Sequence, residues 1–418
     1  MNARCKPLIW ACVWGLLAGP SWADGVMLDG LSPRSIGRGG TNLGHADNGA
    51  LWFDNPAAAV NIDGCGLLDL GMDVIITQFQ FSNPINPGAT DTRATPLPQI
   101  SLVKRSNDGQ WAYGLGVFTP AGFSAIYQLQ SVFPYWGPRQ YKSFGSLAKV
   151  LPGLAYRLND QLSVGATLGV AVSYDQLNGP YFLQSPPLSG LPTLLDLRAT
   201  GAALCWSAGL QYRLTEATTL GATYQSESRF EAHGPAEVTV PVLGSSTYDS
   251  RLDITWPRSV GLGIRHELCP CRIVSADVLW TNWSEAFDSL GIHLRNPGNP
   301  WFFPYDEQLP LRWRDTVSLR VGYERVLDGG RTLRFGYVYH RNPIPAGTLT
   351  PYIQAILEHA FSAGYGWTWQ CWNVDVAYMF SFGPDQRVDD SDLAGGDFSQ
   401  SINRAQTHCI SVSATRRW

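Results

Sequence analysis

The chain has 418 residues, a formal net charge of −4 and only 15% charged residues, against roughly 25% in soluble domains. The charge balance gives no footprint for nucleic acid, and 12% aromatic residues, including 16 Trp and 17 Tyr, fit a lipid-facing band between aromatic girdles. Mean hydropathy of −0.09 excludes a bundle of membrane helices; a β-barrel is compatible with it, because every second residue faces a polar lumen.

Residues 1–23 read as a secretory signal. Arg4 and Lys6 supply the positive start, Leu8 to Ala18 the apolar core, and Ser21-Trp22-Ala23 the cleavage pattern. The apolar stretch is too short for a membrane span. Cys12 lies inside that core rather than behind it, against a lipoprotein signal. Six cysteines follow: Cys65, Cys205, Cys269, Cys271, Cys371 and Cys409. The periplasm permits disulfides, and the sequence does not choose among the pairings. Cys269-Pro270-Cys271 reads as a turn, too close-set for easy mutual bridging and without a second ligand pair for a metal.

Residues 24–63 are rich in Gly, Asn, Asp and Ala and lack strand periodicity, so a small N-terminal element precedes the barrel over 64–418. From there, period-two hydrophobicity marks strands over 66–82, 97–106, 110–123, 143–158, 161–177, 194–213, 218–232, 248–266, 271–295, 311–326, 330–341, 358–368, 372–382 and 405–418. These fourteen predict an all-β, antiparallel transmembrane barrel with both termini on the periplasmic side. Short turns, such as 107–109, 159–160, 269–271, 328–330 and 370–371, alternate with long loops near 124–142, 178–193, 233–247, 296–310, 342–357 and 383–404. The long loops are expected outside the cell.

Alternation also assigns faces. Val317, Leu319, Val321 and Tyr323 are expected toward lipid, with Ser318, Arg320, Gly322 and Glu324 toward the lumen. Leu333, Phe335, Tyr337 and Tyr339 face out; Arg334, Gly336 and His340 face in. The opposite register would put charges at the bilayer midplane, at about 2 to 4 kcal/mol each. The last strand ends on Trp418, an aromatic end suited to the barrel-assembly machinery.

The run Ser35-Ile36-Gly37-Arg38-Gly39-Gly40 followed by Asp54-Asn55-Pro56-Ala57 resembles the plug of the FadL/TodX family of outer-membrane transporters. Further similar patches are Phe118-Thr119-Pro120-Ala121-Gly122-Phe123, Trp136-Gly137-Pro138-Arg139, Pro152 to Arg157, Trp256-Pro257, Trp280 to Ser284 and Arg314-Asp315. Their order spans essentially the whole chain after the signal. The resemblance implies a fourteen-stranded barrel with a small N-terminal plug, or hatch, inside the lumen. It implies passive uptake of hydrophobic compounds, with long-chain fatty acids the leading expectation and small aromatic or aliphatic hydrocarbons the alternative. The implied route is capture at an extracellular groove, an internal pocket beside the plug, and sideways exit through the wall. A monomer in outer-membrane lipid and lipopolysaccharide is expected, with no cofactor.

Several residues are singled out for that route. Asn55, Pro56 and Ala57 are expected to gate the lumen, against an Asx turn that merely starts strand one. Gly37, Gly39 and Gly40 permit a tight plug turn; a phosphate loop lacks its preceding strand and following Lys-Ser/Thr. Val26, Met27 and Leu28 match the family's pocket-lining position, where this chain has Val26 in place of an aromatic. Thr119, Pro120, Ala121 and Gly122 mark a lateral exit at a kink, or an ordinary strand end. Phe123, Tyr127, Phe133 and Trp136 belong to an apolar loop that forms a capture groove or packs over the barrel mouth, with Trp301 to Tyr305 a second wall. Arg38, Arg320 and Arg334 are candidate carboxylate anchors, against pairing with Glu324 and Asp375. A barrel-embedded lipase needs a Ser-His pair, and no Gly-x-Ser-x-Gly motif occurs. A polar-solute porin would lack the Asn-Pro-Ala plug. No catalytic residue or metal ligand set is expected.

Overall fold

The structure, a computed structural model, describes residues 26–418; the expected signal lies outside them. Fourteen antiparallel strands run around one closed sheet. They are β1 (Gly66–Asn83), β2 (Asn86–Arg105), β3 (Trp111–Ser131), β4 (Gly137–Arg157), β5 (Leu162–Phe182), β6 (Pro192–Thr215), β7 (Thr218–Gln225 and Ser228–Val240) and β8 (Gly244–Trp256 and Ser259–Cys269). Then follow β9 (Arg272–Thr281 and Ser289–Arg295), β10 (Tyr305–Pro310 and Thr316–Leu327), β11 (Arg331–Tyr339), β12 (His359–Trp369), β13 (Trp372–Phe382, continued by Gln386–Val388) and β14 (Ser401–Arg417). The ladder from Leu67↔Arg417 to Ser82↔Ile402 joins β1 to β14 and closes the barrel. Closure removes the unpaired edge that lipid could not satisfy.

Side-chain polarity explains the register. In β10, Ser318, Arg320 and Glu324 are buried inward while Leu319 and Val321 are exposed. In β14, Ser411, Ser413 and Thr415 point in, while Ile410 and Val412 face out. Turn chemistry sets the hairpins. Asn159 Oδ1 accepts from the N–H groups of Gln161 (2.9 Å) and Leu162 (2.8 Å) at one end, and Asn83 Oδ1 accepts from Ile85 and Asn86 at the other.

The expected strands are all present, but their extracellular halves are longer. The expected loops 124–142 and 233–247 are mostly ladder, and 178–193 shrinks to residues 183–191: β3 runs to Ser131, β4 begins at Gly137, β5 runs to Phe182, and only residues 241–243 separate β7 from β8. Strand β6 shows why. Near its periplasmic end Leu204 and Trp206 face out, and Ser207 and Gln211 are buried inward. Near its extracellular end Leu195, Leu197 and Ala199 are buried inward, and Arg198 is exposed on the outer face. Above the membrane water is outside and the core is inside, so the alternation inverts. A search for apolar-outward strands stops where the bilayer stops.

Strands β7 to β10 all break at one height, at residues 226–227, 257–258, 282–288 and 311–315. A cluster of Trp256, Trp283, Phe287 and Trp313 fills this waist, with ring centroids 4.8 to 6.0 Å apart. The residues of Trp256-Pro257, Trp280 to Ser284 and Arg314-Asp315, distant in sequence, meet here. Asn282 Nδ2 donates to Asp315 Oδ1 at 3.1 Å, and Ser284 N–H to the same oxygen at 2.9 Å.

Candidate functional site: plug, apolar cavity and open seam

Residues 26–62 are almost wholly buried inside the periplasmic half of the barrel. Two short helices, Pro33–Gly37 and Leu51–Asp54, and a 3-10 helix, Pro56–Asn61, carry the chain across the lumen. Asn55 combines a local turn with a contact to the barrel wall. Its Oδ1 accepts from Ala57 N–H at 3.2 Å, an Asx-type cap that starts the 3-10 helix rather than a strand. Its Nδ2 donates to Leu43 O (2.9 Å) in the plug and to Leu210 O (3.0 Å) in β6. Gly209 makes room, since a Cβ there would collide with Asn55 Oδ1 and Pro56. Gly39 and Gly40 have φ of +66° and +76° and close the tight turn that their sequence implied. Gly39 N–H reaches Ser362 Oγ at 3.0 Å.

The arginines are fastened to carboxylates. Arg334 pairs with Glu324 (2.6 Å) and Asp375 (2.7 Å). Arg38 pairs with Asp47 (2.7 Å) and approaches Glu324 at 3.6 Å. Arg320 meets Asp29 at 3.5 Å, and His340 meets the same carboxylate at 2.9 Å. All three arginines are buried, and none borders the apolar cavity described next. The pairing alternative is the one seen: Arg320 joins wall to plug through Asp29, Arg38 pairs within the plug and approaches Glu324 of the wall, and Arg334 joins wall strands, as buried charges must be paired.

Above the plug lies a cavity walled by the inward apolar residues of the extracellular half. Leu197, Leu252, Ile254, Ile292, Leu309 and Trp313 line it, and the loops after β11 and β13 fold in over it with Ile353 and Phe398. Its empty space is about 1060 Å³, including the open mouth. Among the described residues the bordering acidic side chains are Asp175 and Asp397, and no Lys or Arg borders it. Burial pushes the Asp397 carboxyl, on the loop after β13, up to about 6.

Phe123 lines this cavity from β3. Tyr127 lies on the same strand, 1% exposed, and donates to Gln354 Oε1 at 2.6 Å. Phe133 and Trp136 are 67% and 71% exposed at the β3–β4 tip. The expected apolar loop is therefore divided: the strand extension turns Phe123 and Tyr127 inward and leaves Phe133 and Trp136 away from the cavity. Trp301 is likewise exposed, whereas Tyr305 is buried.

The wall is open beside Phe123. The β2–β3 ladder stops at Ile100↔Val117. Above it β2 pairs with β1 and β3 with β4, and the latter register slips between Phe118 and Ala121, skipping Thr119 and Pro120. Strand β3 does not end there, so the strand-end alternative fails and the kink is a bulge within a strand. The plug's first described residues lie against it. Leu28 N–H donates to Pro120 O at 3.0 Å, Gly122 N–H to Val26 O at 3.2 Å, and Met27 bridges Ala121. The residues expected to line the inner pocket thus meet those expected at the exit. Higher up, side chains replace the ladder: Asp91 accepts from Ile126 N–H at 2.9 Å and Asn86 from Gln130 N–H at 2.7 Å. An outer groove over this seam is bordered by Thr92, Ala94, Ser124 and Ile126. Phe144 and Gln176 border both groove and inner cavity.

Lys149 is a site residue that the sequence reading passed over. It sits inward on β4 opposite Phe118, 6% exposed. Its ammonium lies 5.7 Å from the Phe53 ring centroid, with Cys205 its titratable neighbour. A lysine at the inward position between Leu147 and Leu151 was the available signal.

The family model for outer membrane protein transport proteins (OMPP1/FadL/TodX) matches residues 15–418. Among solved structures, the toluene transporter TodX of Pseudomonas putida is 21% identical, covering 95% of this chain and 100% of that one, with a TM-score of 0.76. A Pseudomonas aeruginosa FadL homologue is 18% identical, with 94% and 99% coverage and a TM-score of 0.77. The Ralstonia pickettii toluene transporter TbuX is 20% identical, with 94% and 99% coverage and a TM-score of 0.73. No curated protein sequence matches. A plugged fourteen-stranded barrel with an apolar cavity, matched by that model from residue 15 to its end, belongs to the OMPP1/FadL/TodX family of outer-membrane transport proteins.

Proposed function

We propose that this protein admits uncharged hydrophobic compounds passively, from the extracellular apolar cavity sideways through the β2–β3 seam into the outer membrane. The supporting observation is that the β2–β3 ladder is absent above Ile100↔Val117, while inner cavity and outer groove share Phe144 and Gln176 on the neighbouring β4 and β5. Gly122 aligns with Ser146 and Tyr174 across β4 and β5. Below Tyr174 the outward residues Val172, Val170 and Leu168 are exposed to lipid, so the seam meets the upper edge of the apolar band. Each methylene moved out of water gains about 0.8 kcal/mol, which drives entry without another energy source. The cavity's carboxyl groups disfavour an anionic ligand, and two solved relatives carry names as toluene transporters.

Long-chain fatty acids, the leading expectation from sequence, are the second reading. Lys149 favours it, because a buried ammonium beside the seam suits a carboxylate. The deciding experiment is uptake of labelled toluene and of labelled oleate by an importer-deficient Gram-negative host expressing the chain. Toluene uptake above vector control, raised or lowered several-fold by Leu28→Pro at the seam, supports the first reading. Oleate uptake abolished by Lys149→Met, with toluene unaffected, establishes the second. Uptake of neither compound, with folded barrel in the outer membrane, sinks both. Free ion flow through the purified protein would instead mark a polar-solute porin.

A further inference from the structure

The β8–β9 turn lies at the periplasmic rim, far from cavity and seam. Cys269 pairs with Arg272, so Pro270 and Cys271 are the two turn residues. Proline fixes φ where such a turn requires it. Val326 N–H donates to Cys271 O at 2.9 Å, which fastens the turn to β10. The chain therefore folds back on itself and brings the two Sγ atoms to 3.1 Å. Both thiols are free, Cys271 is exposed and Cys269 partly so. The spacing argued against mutual bridging; the turn supplies the approach that spacing alone does not. Cys65 and Cys371 are also exposed, beside β1 and in the β12–β13 turn on the same rim, whereas Cys205 and Cys409 are buried in the wall.

We propose that Cys269 and Cys271 form a reversible dithiol–disulfide couple that exchanges with a disulfide reagent in the periplasm. The Cys269 thiolate, its proton lost to water, attacks one sulfur of the reagent; the reagent's S–S bond breaks and one thiolate leaves. The Cys271 thiolate then attacks Cys269 Sγ, the mixed disulfide breaks, and the second reagent thiolate leaves. Two electrons pass to the reagent, which ends as two thiols after taking up two protons. A ring closed over one intervening residue is strained and readily reduced, so the pair works as an exchangeable couple rather than a permanent staple.

The test uses the full folded chain in detergent carrying Cys65→Ser and Cys371→Ser, so that the exposed thiols are those of the turn. It is equilibrated in graded mixtures of glutathione and glutathione disulfide, quenched in acid, and tagged with a maleimide polymer under folding conditions. The expected result is a direct passage from two tags to none as oxidation increases, with loss of two hydrogens by intact mass. In Cys271→Ser, a stable glutathione adduct should accumulate on Cys269, and Pro270→Gly should shift the midpoint several-fold toward the dithiol. Two tags retained at every ratio, or two glutathione adducts in place of the internal disulfide, would overturn the proposal.

Discussion

The two halves of the wall are built on opposite rules. In the periplasmic half, Leu204 and Trp206 face outward and Ser207 and Gln211 inward, toward a polar plug held by buried ion pairs. In the extracellular half of the same strand, Arg198 faces outward and Leu195 and Leu197 inward, toward an apolar cavity. One strand thus serves two solvents, and the height at which its alternation inverts sets where the lumen becomes fit for a hydrophobic ligand. The lower half is fixed by hydrogen bonds and charges with definite partners; the upper half is fixed by shape and is covered by the loops after β11 and β13.

The comparison can be broken most severely in the lower half. Arg334→Met removes the guanidinium that Glu324 and Asp375 share; breaking a buried ion pair costs about 3 to 5 kcal/mol, and the lower end is expected because Arg34 stays 2.8 Å from Asp375 and Arg38 3.6 Å from Glu324. The midpoint of denaturant unfolding in lipid bilayers should fall accordingly; an unchanged midpoint would refute the role given to this network. Next comes a direct test of the inversion on one face of β6. Leu204→Arg, in the lipid band, should cost about 2 to 4 kcal/mol, whereas Arg198→Leu, above it, should stay within about 0.5 kcal/mol. Equal effects at the two positions would show that both face the same solvent.

Asn55→Ala should have a smaller effect, about 1 to 3 kcal/mol, since it removes the donor to Leu210 O and the cap on Ala57. Hydrogen exchange should accelerate over residues 43–61 while β6 above residue 205 keeps its protection. The smallest effect belongs to the upper loops. The Asp397 carboxyl is raised to about 6 by burial, so the closed loop binds the proton more tightly than the open one. Closure is then most stable below the ordinary carboxyl range and weakens as pH rises through about 6. Protection over residues 389–400 should fall between pH 5 and pH 7, and Asp397→Asn should flatten that dependence.

What was legible followed from a local rule. Val317 to Glu324 and Leu333 to Tyr339 faced as their alternation required, because lipid on one side and a polar lumen on the other punish any slip in register. The plug glycines Gly39 and Gly40 were legible for the same reason, since a tight turn leaves few residue choices. Whether Arg38, Arg320 and Arg334 pair with a ligand or with wall and plug carboxylates was not legible, because a sequence shows that a cation faces the lumen and not which anion reaches it first. Phe133 and Trp136 misled because the strand extends past the membrane, which decides whether a neighbouring aromatic turns inward or stands on a tip.

The sequence by itself determined the fourteen strands, their order, the periplasmic turns and the polar face of the lower barrel, because each depends on period-two polarity and turn residues within a dozen positions. Only the tertiary structure decided where the ladder breaks, which arginines are spent on carboxylates, how Trp256, Trp283, Phe287 and Trp313 converge, and that Cys269 and Cys271 touch. Those features depend on side chains that meet across the lumen or around a turn, and on which of several possible partners arrives within hydrogen-bonding or van der Waals reach.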